Sequence, residues 1–379
     1  MNDPASPQEP TARQEPTVRF EPMRFDAVAG WVEDDHAAAF AAFLASARAM
    51  QSKPPKTRAF GIPGSALAEV GMRALAHEAS GSGARTFFED EFRPFLVVPG
   101  TGDGFFTGYY EPEVQGSRVR TQRFTVPIYR RPDDLADIDE TDPPAGVPRG
   151  FAFARRTRDG HAPYPDRAAI ESGTLAGRGL ELAWIESPVD AFFIHIQGSA
   201  RVILADDTVL RIAYAAKSGH PYTPIGQVLR ESGALPAGGV TMQSIRAWLA
   251  AHPADARAAM WANCSFIFFR EVETADPSSG PTGAAGVFLT AGRSLAVDRR
   301  LHTFHSPIWV ETDVPEGRNT TALRRLLIAQ DTGSAIVGPA RGDIFFGSGD
   351  RAGAYAGAMQ SKGRFVLLVP RGVTPEAAA

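Results

Sequence analysis

The sequence predicts a mainly β protein whose helices are gathered towards its N-terminal end. Two observations carry this. Between residues 34 and 92 apolar side chains recur at helical spacing, as with Phe40, Phe43 and Leu44. From Phe95 onward the chain breaks into short apolar runs cut by Gly and Pro, the pattern of strands and tight turns.

The elements follow in chain order. Residues 1–22 are rich in Pro, Glu, Gln and Thr and read as a disordered tail. Asp34-Asp35 open the first helix, their negative charge matching its positive end. Further helices are expected over 64–79 and 84–92. Residues 131–168 read as loop-rich, with Arg131-Pro-Asp-Asp and Thr141-Asp-Pro-Pro. Strands are expected over 191–204 and 209–214, turning at Asp206-Asp207. Ile245, Trp248 and Leu249 mark an amphipathic helix over 243–252, and a second short helix follows Pro253. Ser265-Phe-Ile-Phe-Phe269 is a buried strand, and 274–285 is a loop. The last part alternates strands (308–311, 326–329, 344–346, 365–369) with turns and one helix over 351–359.

At 379 residues the chain is long enough for about two domains of roughly 150 residues each. A hydrophobic share of 44% fills real cores, which marks a globular protein. The formal net charge of −4 leaves no basic stripe, so nucleic acid is not an expected partner. Cys264 is the only cysteine; an intrachain disulfide and a cysteine-rich zinc site are excluded. No metal and no cofactor is expected. No run reaches the roughly 18 apolar residues of a membrane span, so no transmembrane segment is expected. Met1-Asn-Asp-Pro-Ala-Ser-Pro shows no basic and then apolar leader and no lipid-acceptor cysteine.

The chemistry gathers on three aspartates in apolar or glycine-rich frames. They are Asp298 in Leu295-Ala-Val-Asp-Arg-Arg300, Asp331 in Ile328-Ala-Gln-Asp-Thr-Gly-Ser-Ala-Ile336 and Asp343 in Arg341-Gly-Asp-Ile-Phe-Phe-Gly347. Carboxylates are seldom buried unless paired, so three in strand-like surroundings suggest a shared, partly desolvated acid site. Asp331-Thr-Gly-Ser334 matches the aspartic-protease signature, but that chemistry needs a second such carboxylate and the chain has no second copy. What survives is an aspartate at a strand end, hydrogen-bonded by backbone N–H groups and expected to stay ionised. Gly347-Ser-Gly-Asp-Arg-Ala352 half-matches a dinucleotide fingerprint but lacks the βαβ unit around it. His302 and His305 sit in a Pro-containing stretch and read as surface or packing histidines. Tyr109, Tyr110 and Glu111 in Thr107-Gly-Tyr-Tyr-Glu-Pro112 read either as a packed strand end or as a sugar platform. In the second case the rings lie under pyranose C–H groups and Glu111 binds hydroxyls. Gln197, beside Gly198 in Phe193-Ile-His-Ile-Gln-Gly-Ser199, presents an amide with little steric cover; His195 reads as a satisfied strand histidine.

Taken together these stretches resemble the membrane-bound lytic murein transglycosylase A family. The likeness runs from about Trp31 to Pro370. It rests on Phe105-Phe-Thr-Gly-Tyr-Tyr-Glu-Pro112, Phe193-Ile-His-Ile-Gln-Gly-Ser-Ala-Arg-Val202, Lys217-Ser-Gly-His-Pro-Tyr222, Gly292-Arg-Ser-Leu-Ala-Val-Asp298, Gln330-Asp-Thr-Gly-Ser-Ala-Ile336 and Gly342-Asp-Ile-Phe-Phe-Gly-Ser-Gly349. The resemblance implies a discontinuous double-psi β-barrel domain, residues 23–111 and 266–379. It also implies an inserted β-barrel domain, residues 112–265, and a groove between the two for peptidoglycan glycan strands. It implies cleavage of the β-1,4 bond between N-acetylmuramic acid and N-acetylglucosamine without water, leaving a 1,6-anhydro sugar. Asp343 falls on the family's catalytic position, with Asp331 and Asp298 supporting it through orientation and electrostatics and Arg299 and Arg351 as partners for a supporting carboxylate. Tyr109, Tyr110, Glu111, Gln197 and Ser199 are the expected glycan contacts. The expected location is the periplasm or the outer membrane. A glycoside hydrolase using two of the aspartates is the alternative, and a glycan-binding module with a dead site is a third. The family's usual Pro-Leu-Gly turn is replaced here by Leu301-His-Thr-Phe-His-Ser-Pro307.

Overall fold

The computed structural model describes residues 18–80, 83–100, 102–236, 238–273, 279–316 and 319–377. Its strands, in chain order, are β1 Val18–Pro22, β2 Phe92–Pro99, β3 Gly104–Glu111, β4 Glu113–Ser117, β5 Val126–Tyr129, β6 Leu135–Asp137, β7 Phe153–Thr157, β8 Gly160–Ala162, β9 Glu181–Ile185, β10 Ser199–Ile203, β11 Val209–Lys217, β12 Ile267–Glu271, β13 Ser294–Val297, β14 Pro307–Glu316, β15 Asn319–Asp331, β16 Arg341–Ser348 and β17 Gln360–Pro370. The helices are α1 His36–Ser52, α2 Gly64–Ser80, α3 Ala84–Glu91, α4 Arg167–Ala169, α5 Pro188–Gln197, α6 Ile225–Glu231, α7 Met242–Ala251, α8 Pro253–Trp261 and α9 Gly349–Ala358.

Two curled sheets organise the molecule. The larger runs β1-β2-β17-β14-β15-β13-β16-β3, and β3 also pairs with β17, so six of its strands close into a ring. Closure removes the free edges that an open sheet exposes. The second runs β12-β11-β10-β4-β9-β5, and a bridge from Arg130 to Phe269 brings its two ends together. A three-stranded sheet of β6, β7 and β8 accompanies it. The chain leaves the larger barrel after β3 and returns to it at β13, so the second barrel is an insertion between them.

Leu326, Leu327, Ile328 and Ala329 of β15 are all fully buried, although alternate residues face opposite sides of a strand. One side fills the barrel; the other is covered by α1, where Gln330 Nε2 donates to the carbonyl of Ala42 and to Ser46 Oγ, both at 2.9 Å. Asp35 caps α1 by accepting from the Ala38 N–H at 3.0 Å.

Three expectations are corrected. Residues 18–22, read as the end of a disordered tail, form β1 against β2; residues 1–17 lie outside the described residues, as do 274–278 of the expected loop. Strand Ile267–Glu271 pairs with β11, so the inserted sheet extends past the expected boundary at 265. The stretch 191–197 is helix, not strand: Ser187 caps it, Pro188 occupies its first turn and Gly198, at φ +78°, ends it. These start and stop residues outweigh the strand preference of Phe193, Ile194 and Ile196.

Candidate functional site

Strand pairing sets up the site before any side chain is considered. Ala296 on β13 pairs with Asp331 on one side and Asp343 on the other; Asp343 pairs in turn with Thr107 on β3, and Thr107 with Gln360 on β17. Residues in register share a face, so this row crosses five strands of the closed barrel with its side chains on one side.

Asp343 Oδ1 accepts a hydrogen bond from Thr107 Oγ1 at 2.6 Å, and Arg341 Nη2 donates to the same Oγ1 at 2.7 Å. Burial pushes the Asp343 carboxyl up; the charge of Arg341 and the Thr107 hydrogen bond oppose the rise without cancelling it. Asp331 Oδ2 accepts from the Tyr109 hydroxyl at 2.9 Å and Oδ1 from the Ala284 N–H at 2.9 Å. Burial raises this carboxyl too, against those hydrogen bonds, and a negative charge at Asp343 raises it further. The expectation that its donors favour the ionised form meets an opposing force: in this enclosure desolvation outweighs the hydrogen bonds from Ala284, Thr332 and Tyr109 and shifts the carboxyl upward. Tyr109 is itself held well above the ordinary tyrosine range, by burial first and by the charges of Asp331 and Asp343.

Asp298 stands apart from this pair. Buried just past the end of β13, it accepts from Arg300 Nη2 at 2.9 Å, from the Arg300 N–H at 3.0 Å and from the Gly338 N–H at 3.0 Å. Burial alone would raise it, but these donors win and hold it below the usual carboxylate range. It braces the 298–302 turn, and its partner is Arg300, where Arg299 or Arg351 was expected.

The proposed sugar platform is divided by strand alternation. Tyr109 faces Asp331 and the Phe345 ring, with centroids 5.3 Å apart. Tyr110 points the other way and packs on Ala352 and Ala356 of α9. Glu111 is only 1% exposed and accepts from Arg201 at 3.0 Å, Arg211 at 3.1 Å and Ser348 at 2.7 Å. Its carboxylate has no access to a sugar; it ties the exit from the larger barrel to β10, β11 and the start of α9. Gln197 Oε1 accepts from the Tyr110 N–H at 3.0 Å, and Ser199 is buried at the start of β10. His195 is buried in α5 against Phe266, burial holding its pKa well below the ordinary range. His302 and His305 are buried packing residues, bonded to the Pro339 carbonyl and Ser46 respectively.

Thr107 and Gly108 line a cleft of about 490 Å³. Gln360 and the end of α9 form the rest of one wall; the inserted barrel supplies the other with Gln197, Tyr222, α6 and α7. Tyr222 is within electrostatic reach of Asp343. A larger hollow of about 640 Å³ lies across the contact where Gln243 of α7 reaches the carbonyls of Gly353 and Ala354 of α9. None of the three aspartates lines either hollow, but Thr107, which donates to Asp343, and Tyr222 stand in the wall of the smaller cleft, while the ion pair Arg246–Asp190 in the larger one is self-satisfied at 2.6 Å, so the smaller cleft is the candidate site. Among the described residues no cluster of His, Cys, Asp and Glu is arranged to hold a metal ion. No described helix is long and apolar enough to cross a membrane. Sequence reading missed Arg341 and the role of Thr107. Both lie inside the quoted motifs, but the β3–β16 pairing that joins them spans most of the chain.

Fold and site together define a two-barrel protein with a partly buried carboxyl pair beside the cleft that separates the barrels. Comparison with known proteins narrows the class. Residues 105–270 match the model of the MltA specific insert domain and residues 293–369 that of the 3D domain. Membrane-bound lytic murein transglycosylase A of Vibrio cholerae is 32% identical over 268 residues, which cover 69% of this chain and 64% of that protein. The crystal structure of a membrane-bound lytic murein transglycosylase from Agrobacterium tumefaciens superposes with a TM-score of 0.85 at 41% identity, covering 93% of this chain and 98% of that one. The Escherichia coli MltA structure with bound chitohexaose gives 0.68 at 27% identity, covering 93% and 94%. The chain belongs to the membrane-bound lytic murein transglycosylase A family.

Proposed function

We propose that the protein is a lytic transglycosylase of peptidoglycan, cleaving the β-1,4 bond between N-acetylmuramic acid and N-acetylglucosamine with Asp343 as its single acid and base. The observation that carries this is the state of Asp343: a carboxyl with a raised pKa, beside an inter-barrel cleft. Among the described residues the only other aspartate with a raised pKa is Asp331, which Tyr109 and Ala284 already engage. Such a carboxyl begins protonated and gives its proton to the departing glycosidic oxygen. The C6 hydroxyl of the same sugar, held close to C1, then forms the new C1–O6 bond and returns its proton to Asp343. Proximity replaces the second carboxylate that a hydrolase needs, and no water is consumed. Asp331, with Tyr109, keeps a second proton-binding group at the edge of the site.

This reading takes the larger closed barrel as the double-psi domain and the cleft as the seat of a glycan strand, in line with the chitohexaose bound by the E. coli relative. It places the protein in the periplasm or at the outer membrane, where that substrate lies. Digestion of purified sacculi with mass analysis of the products tests it. Products one water lighter than the reducing sugars support a transglycosylase; reducing ends mean a hydrolase using Asp331 as well; bound but uncut sacculi mean a binding module.

A further inference from the structure

Arg341 forms no ion pair with a carboxylate among the described residues. Its hydrogens go to the carbonyls of Phe105 and Gly342 and to Thr107 Oγ1, and its guanidinium lies 5.2 Å from the Phe105 ring centroid. Arginine has donors only, so Thr107 Oγ1 is the acceptor in that contact. The hydroxyl's single hydrogen is then directed to Asp343 Oδ1, 2.6 Å away. A carboxyl whose Oδ1 already accepts a hydrogen bond holds its own proton on Oδ2.

We propose that Arg341 is a positioning residue for the acid: through Thr107 it fixes Asp343 Oδ1 as an acceptor, so that Oδ2 carries the proton delivered to the leaving sugar and recovered from the C6 hydroxyl. The proposal rests on Asp343 being the acid and adds which oxygen acts and what selects it. The groups facing Asp343 from the packed elements are Arg341 on β16, Thr107 and Tyr109 on β3, Asp331 at the end of β15 and Tyr222 from the inserted barrel, with uncharged Ala296 on β13 and Gln360 on β17. Arg341 is the one cation among them, so its removal both frees the hydroxyl and takes away the charge that favours ionised Asp343.

The test is a double-mutant cycle of Arg341→Met and Thr107→Val, with Arg341→Lys and Thr107→Ser as conservative controls. kcat on purified sacculi is followed across pH. Each single change lowers kcat by roughly tenfold or more. Because Arg341 acts through Thr107, Arg341→Met costs little further kcat in the Thr107→Val background. Arg341→Met also moves the basic limb of the pH profile upward, and Lys and Ser restore most of the rate. Independent, multiplicative losses, or an unmoved pH profile in folded Arg341→Met, overturn the proposal. A carboxyl 13C titration, with Asp343 assigned by difference from Asp343→Asn, separates this from failure of the functional reading. The upward shift of Asp343 in Arg341→Met is expected whatever the protein's products are, and its absence sinks the relay alone.

Discussion

Asp331 and Asp343 stand on either side of one residue, Ala296, each paired with it across a neighbouring strand. A β-bulge between Leu295 and Ala296 gives β15 the extra residue that brings Asp331 level with Asp343. Burial raises both carboxyls, and the charge of Asp343 adds a little to the rise at Asp331.

Replacement of Asp343 by Asn removes the acid while keeping the size of the side chain. Release of anhydro sugar from sacculi should fall by about 10²–10⁴-fold, the usual worth of a positioned general acid. Circular dichroism should be unchanged. Wild-type-like release by a folded Asp343→Asn protein ends the assignment.

The same pair makes a stability prediction of opposite benefit. A carboxyl with a raised folded pKa binds more protons in the folded than in the unfolded chain, so its contribution to stability falls as pH rises from the unfolded value through the folded one. Asp331→Asn, which cannot ionise, should therefore raise the melting temperature at pH 7 and change it little near pH 4. Equal shifts at both pH values would contradict the raised pKa.

Tyr109→Phe deletes the hydroxyl that donates to Asp331 Oδ2. Loss of one hydrogen bond to a partly buried carboxyl should cost about 1–3 kcal/mol in denaturant unfolding. It should also raise the Asp331 pKa, visible in a carboxyl titration, because that bond favours the ionised form.

Glu111 pairs with both Arg201 and Arg211 where the two barrels meet, and Arg201 pairs with Glu113 as well. Glu111→Ala strands Arg211, which is only 6% exposed, and breaking a buried pair from one side costs about 3–5 kcal/mol. Urea titration followed by tryptophan fluorescence measures it; a loss under about 1 kcal/mol would mean that the node behaves as a surface pair.

His302 and His305 are held neutral, both pushed down to about 4 by burial. Unfolded histidine titrates near 6.5, so their contribution is complete above that value and is lost as pH falls from about 6.5 towards 4. Imidazole NMR signals of both should stay still between pH 7 and 5. Titration of either near 6.5 in the folded protein would be decisive against it.

The strand content, the helix over 243–252 and the grouping of Asp331 with Asp343 were legible in the sequence because each is written locally, as periodicity or as a short framed motif. Helix α5 was misread because its Phe and Ile residues suit a strand, while the evidence against a strand lay in Ser187, Pro188 and Gly198 at its ends. The roles of Glu111 and Tyr110 were misread for another reason. Adjacent strand residues face opposite ways, and which face meets solvent depends on where α9 and Arg201 arrive from. Asp298 shares a motif style with the other two aspartates, yet Arg300, two residues on, claims it. No local pattern encodes the partnership of Arg341 with Thr107, which arises only when β16 pairs in parallel with β3.

That pairing joins residues 236 positions apart, Thr107 and Asp343, with the whole inserted barrel lying between them in the chain. Contacts of such long separation form late, since the intervening loop must first be closed or folded. A nascent or truncated chain that stops before β16 lacks β17 as well, leaves the larger barrel open and lacks Asp343 altogether. The last strands to be made therefore both shut the larger barrel and bring Asp343 beside Thr107.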